Sequence, residues 1–173
     1  FYANYYEERE SEKVEFMVKE SQFFPQLKNV FGFCTKNEMM ANMLGVSVEN
    51  KEAICSFVAT DSHIIKVVKE KIKAIDFSFL LPAIAAEKLC KLASKELERD
   101  IHISYDSEYI SFSFGGIQFV CKLIEETYPD YEKVLPAEHL ISITTSRHDL
   151  LQCLKRVPIF GNRTSNKLEI EIA

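Results

Sequence analysis

The chain has 173 residues, of which 47% are hydrophobic and 12% aromatic. This length predicts one complete domain and part of a second, and the apolar content excludes an intrinsically disordered chain. Lys and Arg number 21 against 26 Asp and Glu, which gives a formal net charge of −5. The overall charge therefore does not indicate a nucleic-acid-binding protein, but it allows a basic face on one side of the fold.

The sequence shows no sign of a membrane span or a targeting segment. Its longest uncharged stretch, residues 109–121, is shorter than the roughly 18 to 20 apolar residues of a membrane helix. The chain begins with Phe1, and no basic segment followed by an apolar one resembles a signal peptide. We expect a fragment of a longer, cytoplasmic protein.

The cysteines provide no metal-binding spacing and no CxxC pair. They are scattered among apolar residues at Cys34, Cys55, Cys90, Cys121 and Cys153. This pattern predicts buried free thiols in a reducing compartment, with no metal and no cofactor.

In chain order, the first elements form a β-α-β-β-β unit. Alternating residues predict a strand over residues 14–19, and a helix follows, with Ser21 as its N-cap and Pro25 in or near its first turn. The next three strands are expected over residues 43–48, 53–60 and 63–68.

The same order of elements returns in the second half of this region. A strand over residues 75–81 precedes a helix over residues 83–97, which Pro82 opens and whose apolar stripe includes Leu92. The three strands that complete this unit are expected over residues 100–106, 109–114 and 117–124. Two such units predict a single α+β domain with its helices on one face of antiparallel sheets.

Pro129 and Pro136 mark a boundary beyond which a further copy begins. Leu27-Lys28-Asn29-Val30 is similar to Leu154-Lys155-Arg156-Val157, and a strand precedes each helix. The predicted organisation is a linker, a complete domain, a second linker and the truncated start of another domain, over residues 1–12, 13–123, 124–136 and 137–173.

Each predicted helix exposes basic residues opposite its apolar stripe, which in the last helix includes Leu150, Leu151 and Leu154. The candidate DNA-facing residues are Lys28, Lys88, Lys91, Lys95, Lys155 and Arg156. Spaced lysines and arginines favour sequence-independent contact with phosphates. The competing interpretation is that basic residues are simply common on solvated helix faces.

Three segments carry a resemblance to a known family: VATDSH at residues 58–63, and the stretches 112–136 and 150–172. They resemble the bacterial sliding clamp, the beta subunit of DNA polymerase III, over most of residues 14–173. The likeness corresponds to the middle domain and the start of the last domain. It implies the DNA-clamp fold and a homodimeric ring that encircles double-stranded DNA during replication and tethers the polymerase without catalysis.

The resemblance also implies a cleft for linear peptides of the polymerase III alpha subunit, the clamp loader and repair polymerases. The residues that match the cleft pattern are Thr60, Ser62, His63, Ile64, Ile65, Pro129, Lys133 and Val134. Ser62 replaces a usual Gly, Ile64 a usual Arg and Lys133 a frequent Arg. A missing guanidinium at Ile64 removes a bidentate hydrogen-bonding group and leaves partner preference open. Other interpretations are strand core for Ile64 and Ile65, and a turn proline for Pro129.

The sequence allows two other functions to be compared with the clamp. Asp61, Ser62 and His63 contain the groups of a hydrolase, but no nucleophile elbow accompanies them and the chain has only 5 glycines. A tandem-repeat adaptor that binds only proteins shares every predicted fold feature with the clamp, and DNA retention distinguishes the two.

Overall fold

The computed structural model describes residues 12–93, 98–136 and 142–156. The chain divides into two compact units, Phe1–Asp130 and Tyr131–Ala173, which are described separately. Among the described residues, no helix has the length and apolar character to cross a membrane.

The first unit confirms the predicted order of two β-α-β-β-β halves. The first half comprises β1 (Val14–Lys19), α1 (Glu20–Val30), β2 (Gly45–Lys51), β3 (Ile54–Thr60) and β4 (Ile65–Lys71). The second half comprises β5 (Phe77–Pro82), α2 (Ala83–Leu92), β6 (Asp100–Tyr105), β7 (Tyr109–Phe114) and β8 (Ile117–Lys122). Short 3-10 turns at Phe31–Phe33 and Ala41–Met43 join α1 to β2.

The two halves exchange their first strands. The described strands form two antiparallel four-stranded sheets, ordered β1-β6-β7-β8 and β4-β3-β2-β5. Phe16 of β1 lies opposite Ile103 of β6, and Phe79 of β5 lies opposite Val48 of β2. Each half therefore completes the sheet of the other, and the two halves form one α+β domain.

The core lies between the helices and both sheets. Phe23 of α1 is fully buried, and its ring centroid is 5.3 Å from that of Phe57 in β3 and 5.9 Å from that of Phe112 in β7. Leu89 of α2 is also fully buried. Burying a side chain such as Phe23 contributes about 2–3 kcal/mol. One helix thus holds the two sheets together.

The start of α1 differs from the prediction. The helix begins at Glu20, its N-cap Lys19 makes no side-chain capping hydrogen bond, and Pro25 lies in the second turn. The prediction of Ser21 as N-cap is therefore wrong. The Glu20 N–H donates to the Arg99 carbonyl at 2.9 Å, and its buried carboxylate lies 3.4 Å from Arg99 Nε. This tertiary contact, rather than a local cap, fixes the helix start.

Helix α2 is shorter than predicted. It ends at Leu92, because Ala93 adopts an extended conformation with ψ of 130°. Leu92 is 41% exposed, so its expected burial is wrong, whereas Ala85, Ala86 and Leu89 are buried. The fully packed positions of α2 thus lie within its first seven residues, and Cys90 in the next position is half-buried against the core.

In the second unit the described elements are a 3-10 turn at Tyr131–Lys133 and α3 (Arg147–Arg156). The Asp149 N–H donates to Ser146 Oγ at 3.4 Å at the start of α3. Leu150, Leu151 and Leu154 are each about 40% exposed, so their expected burial is wrong for the described residues of this unit. The domain and linker boundaries given above stay predictions.

Four of the five free cysteines are buried or half-buried, as predicted. Cys153 is exposed, so its predicted burial is wrong. Burial raises the pKa of the Cys34 thiol to about 12. The structure groups no set of three or more metal-ligating side chains within the residues it describes.

Candidate functional site

Helices α1 and α2 place basic side chains on one surface of the first unit. Lys28 in the last turn of α1 and Lys88 and Lys91 of α2 are exposed. The helices lie side by side, since Cys90 Sγ of α2 is 3.9 Å from the Phe24 carbonyl oxygen of α1. The charge of Lys28 acts on Cys90 and opposes the rise that burial causes in its pKa. We call Lys28, Glu87, Lys88 and Lys91 the helix surface.

The helix surface includes an acidic residue that the sequence reasoning missed. Lys91 Nζ lies 2.6 Å from Glu87 Oε1, one helical turn away. This hydrogen bond, together with the charges of Lys91 and Lys88, lowers the pKa of the Glu87 carboxyl. The signal was present in the sequence as an acidic residue four positions before a lysine.

The helix surface does not include the other predicted DNA-facing residues. Lys95 lies outside the described residues, so its DNA-facing role stays a prediction. Lys155 and Arg156 are exposed at the end of α3 in the second unit. Arg156 Nε donates to the Gln152 carbonyl at 3.2 Å.

Five of the predicted peptide-cleft residues come together in the turn between β3 and β4. Asp61 Oδ1 accepts the N–H groups of His63 at 3.0 Å and Ile64 at 2.8 Å. Thr60 Oγ1 donates to the Ile64 carbonyl at 2.8 Å and accepts the Ser62 N–H at 3.2 Å. Because these bonds hold residues 61–64 in the turn, β4 begins at Ile65, two residues later than predicted.

The turn presents some of these side chains and buries others. Ile64 is 54% exposed and His63 is exposed, whereas Thr60 is only 8% exposed and Ile65 is half-buried. Ser62 has a φ of +77°, in the left-handed region that glycine adopts most readily. The side chains that can contact a ligand here are those of Ser62, His63, Ile64 and, in part, Ile65.

Asp61 serves as the anchor of this turn. The backbone N–H groups of Ile64 and His63 stabilise its charged form and lower the pKa of its carboxyl. Its Oδ1 atom accepts both of these amides, which is the behaviour of a turn residue rather than of a group that orients a catalytic histidine.

The remaining cleft residues lie in the segment after β8. Pro129 is half-buried in the first unit. Upstream of it, the Ile124 N–H donates to the Leu80 carbonyl at 3.0 Å, so this segment begins alongside β5. Lys133 and Val134 belong to the second unit, where Val134 is 72% exposed.

The fold, with two interlocked β-α-β-β-β halves that share two four-stranded sheets, is that of a clamp-type domain. The sequence profile of the DNA polymerase III beta subunit, central domain, matches residues 11–130. The chain therefore belongs to the DNA polymerase III beta subunit family.

Relatives and solved structures agree with this family. The chain is 26% identical to the beta sliding clamp of Staphylococcus aureus over 123 residues, which cover 70% of this chain and 32% of that protein. The beta subunit structure from Thermotoga maritima is 26% identical with a TM-score of 0.75 and covers 87% of this chain and 41% of its own. The clamp from Pseudomonas aeruginosa bound to griselimycin has a TM-score of 0.82 at 20% identity, covering 92% and 44%. The chain thus spans about a third of the length of the curated relatives it matches.

Proposed function

We propose that this chain forms part of a ring-shaped sliding clamp that encircles duplex DNA in the cytoplasm and acts as a processivity factor. The observation that carries the proposal is the helix surface, which exposes Lys28, Lys88 and Lys91 in a chain with a net charge of −5. Lysines on adjacent helices attract phosphates without reading bases, so the attraction is independent of sequence and weakens with salt.

A ring does not need tight contacts with DNA. Because a closed ring is held on DNA by topology, its inner surface needs only enough positive charge to attract the phosphates weakly. Weak contacts of this kind leave sliding nearly unhindered. The small number of exposed lysines on α1 and α2 is consistent with this requirement. The proposed ring is a homodimer.

Charge reversal tests the helix surface. The variant Lys28→Glu/Lys88→Glu/Lys91→Glu is expected to bind a random-sequence duplex more than about tenfold more weakly than the wild type at low salt. Its matched control reverses three exposed lysines of the β2–β4 sheet, Lys51, Lys69 and Lys71. Fluorescence anisotropy at about 50 mM salt measures both. Equal losses, or a larger loss in the sheet variant, would contradict the proposal.

Encirclement is tested in a chain of full clamp length. Residues 11–130 can replace the matched central domain of the Staphylococcus aureus clamp. With a clamp loader, the chimera is expected to stay on closed circular DNA and to leave once the circle is cut. Retention that survives linearisation, or failure to stay on circles that hold the parent clamp, would count against a topological link.

The proposed function also includes a peptide-binding cleft that takes linear segments of the polymerase III alpha subunit, the clamp loader and repair polymerases. The β3–β4 turn is proposed as part of this cleft, with His63 and Ile64 exposed on a backbone that side-chain hydrogen bonds hold in place. Such a preorganised surface loses little entropy on binding. Pro129, Lys133 and Val134 are proposed as further cleft residues.

Griselimycin, the ligand bound to the Pseudomonas aeruginosa relative, serves as the probe of this cleft. We expect its addition to shift the amide NMR signals of residues 60–65, and Ile64→Ala to weaken binding. Ile54→Ala removes another exposed isoleucine from the first unit and is the control. Binding that Ile64→Ala leaves unchanged would remove the turn from the cleft.

The alternative function is an adaptor that binds proteins without encircling DNA. It predicts peptide binding at the turn together with DNA binding that helix-surface charge reversal does not alter. The anisotropy and circular-DNA experiments therefore distinguish the two functions.

A further inference from the structure

Glu87 lies on the outward side of α2, among the lysines proposed to face DNA. The buried residues Ala85, Ala86 and Leu89 define the inward face of this helix. On a helix of 3.6 residues per turn, Glu87 and Lys91 project on the opposite side. Their side chains are 47% and 70% exposed.

The Glu87 carboxylate forms an ion pair with the Lys91 ammonium group of this surface. It lies 2.6 Å from Lys91 Nζ, and the nearby charge of Lys88 also favours its ionised form. An ammonium group has three N–H donors, so a phosphate can still approach Lys91, but it must compete with this carboxylate or remain beside its negative charge. Of the three lysines on the helix surface, Lys91 is therefore the one least available to DNA.

We propose that Glu87 is an internal counter-charge that weakens the attraction of the helix surface to duplex DNA. This inference rests on the proposed DNA-facing role of α1 and α2. Removing the carboxylate frees Lys91 for a phosphate and so adds about one phosphate contact to the interface. The counter-charge keeps the inner contacts weak, which suits a protein that must slide.

The competing explanation is that the pair only stabilises the helix. An acidic residue four positions before a lysine supports an isolated helix even where no ligand approaches. In that case removing the charge would change the stability of the unit and leave DNA binding unaltered. A binding measurement with a salt series therefore separates the two roles.

The test compares Glu87→Gln with Glu49→Gln, which removes the same charge from a pair on β2. Glu49 Oε1 lies 2.7 Å from Lys51 Nζ, so each substitution removes a carboxylate from a pair with a lysine and changes the net charge equally. Binding of the 173-residue chain to a random-sequence duplex is measured by anisotropy between about 50 and 200 mM salt, with thermal unfolding recorded for each variant.

We expect Glu87→Gln to bind about threefold more tightly than the wild type at 50 mM salt, and Glu49→Gln to match the wild type. One added phosphate contact steepens the salt dependence by about 0.9 in log–log slope, which is roughly a 3.5-fold change between 50 and 200 mM, so the threefold advantage is expected to be gone by 200 mM. Equal affinities of Glu87→Gln and Glu49→Gln would overturn the inference.

A third variant separates failure of this inference from failure of the proposed function. If Lys88→Glu weakens binding while Glu87→Gln has no effect, α2 still faces DNA and only the counter-charge role is refuted. If Lys88→Glu has no effect on binding, the DNA-facing role of α2 fails, and the inference fails with it.

Discussion

Replacing Ser62 with glycine is expected to stabilise the first unit. Ser62 has a φ of +77°, where the Cβ of an L-residue costs about 1–2 kcal/mol. Glycine loses more backbone entropy on folding, which offsets about 0.4–1 kcal/mol of that gain. The Ser62 N–H that bonds Thr60 Oγ1 is retained, so the net expected gain is about 0.5–1 kcal/mol.

Urea and thermal unfolding measure this gain, which corresponds to a rise in Tm of about 2–4 °C for a unit of this size. Ser62→Ala is the matched control, because it removes the hydroxyl but keeps the Cβ and its strain. Ser56→Gly, in the interior of β3, is expected to lose about 0.5–1 kcal/mol. If Ser62→Gly is no more stable than wild type and Ser62→Ala, the strain argument is refuted.

Three further predictions concern the fold and its titratable groups. Gly45→Ala is expected to lower the free energy of unfolding by about 1–3 kcal/mol, because an added Cβ would lie 2.6 Å from the Leu81 carbonyl oxygen. An unchanged midpoint of urea unfolding would contradict this close approach. The pKa of the Asp61 carboxyl is lowered in the folded chain, so its charged form adds stability that is fully present above the ordinary carboxyl pKa of 3.8 and is lost as pH falls through the folded value. Asp61→Asn should therefore lower the free energy of unfolding at pH 7 and match wild type in strong acid. A difference that does not change with pH would argue against a charge effect. Alkylation at pH 8 should modify the exposed Cys153 well before Cys55, because burial raises the pKa of the Cys55 thiol to about 12. Mass spectrometry of the labelled peptides gives the order of modification. Early labelling of Cys55 would show that the core opens readily.

The order of strands and helices could be predicted because side-chain periodicity reports which face is buried. Residues 14–19 alternate in sequence, and Phe16 and Val18 are buried in β1. Sequence periodicity does not say which strand lies next to which, since β1 buries the same face in either sheet. The exchange of β1 and β5 between the halves therefore became visible only in the structure.

Local ends and turns were harder to predict, because distant residues decide them. The Ser21 cap was wrong because Arg99, far along the chain, binds the first residue of α1. Sequence matching placed Thr60–Ile65 in one segment, but not the positive φ of Ser62. The predicted lysine face did not include Glu87, although its spacing of four residues from Lys91 indicates an ion pair on a helix.

An NMR titration of the isotopically labelled chain with a short random-sequence duplex tests the central claim most directly. We expect amide shifts centred on exposed positions of α1 and α2, including Lys28 and Lys88, and we expect them to vanish as salt is raised. Shifts centred on the outer faces of the two sheets, with α1 and α2 unaffected, would contradict it.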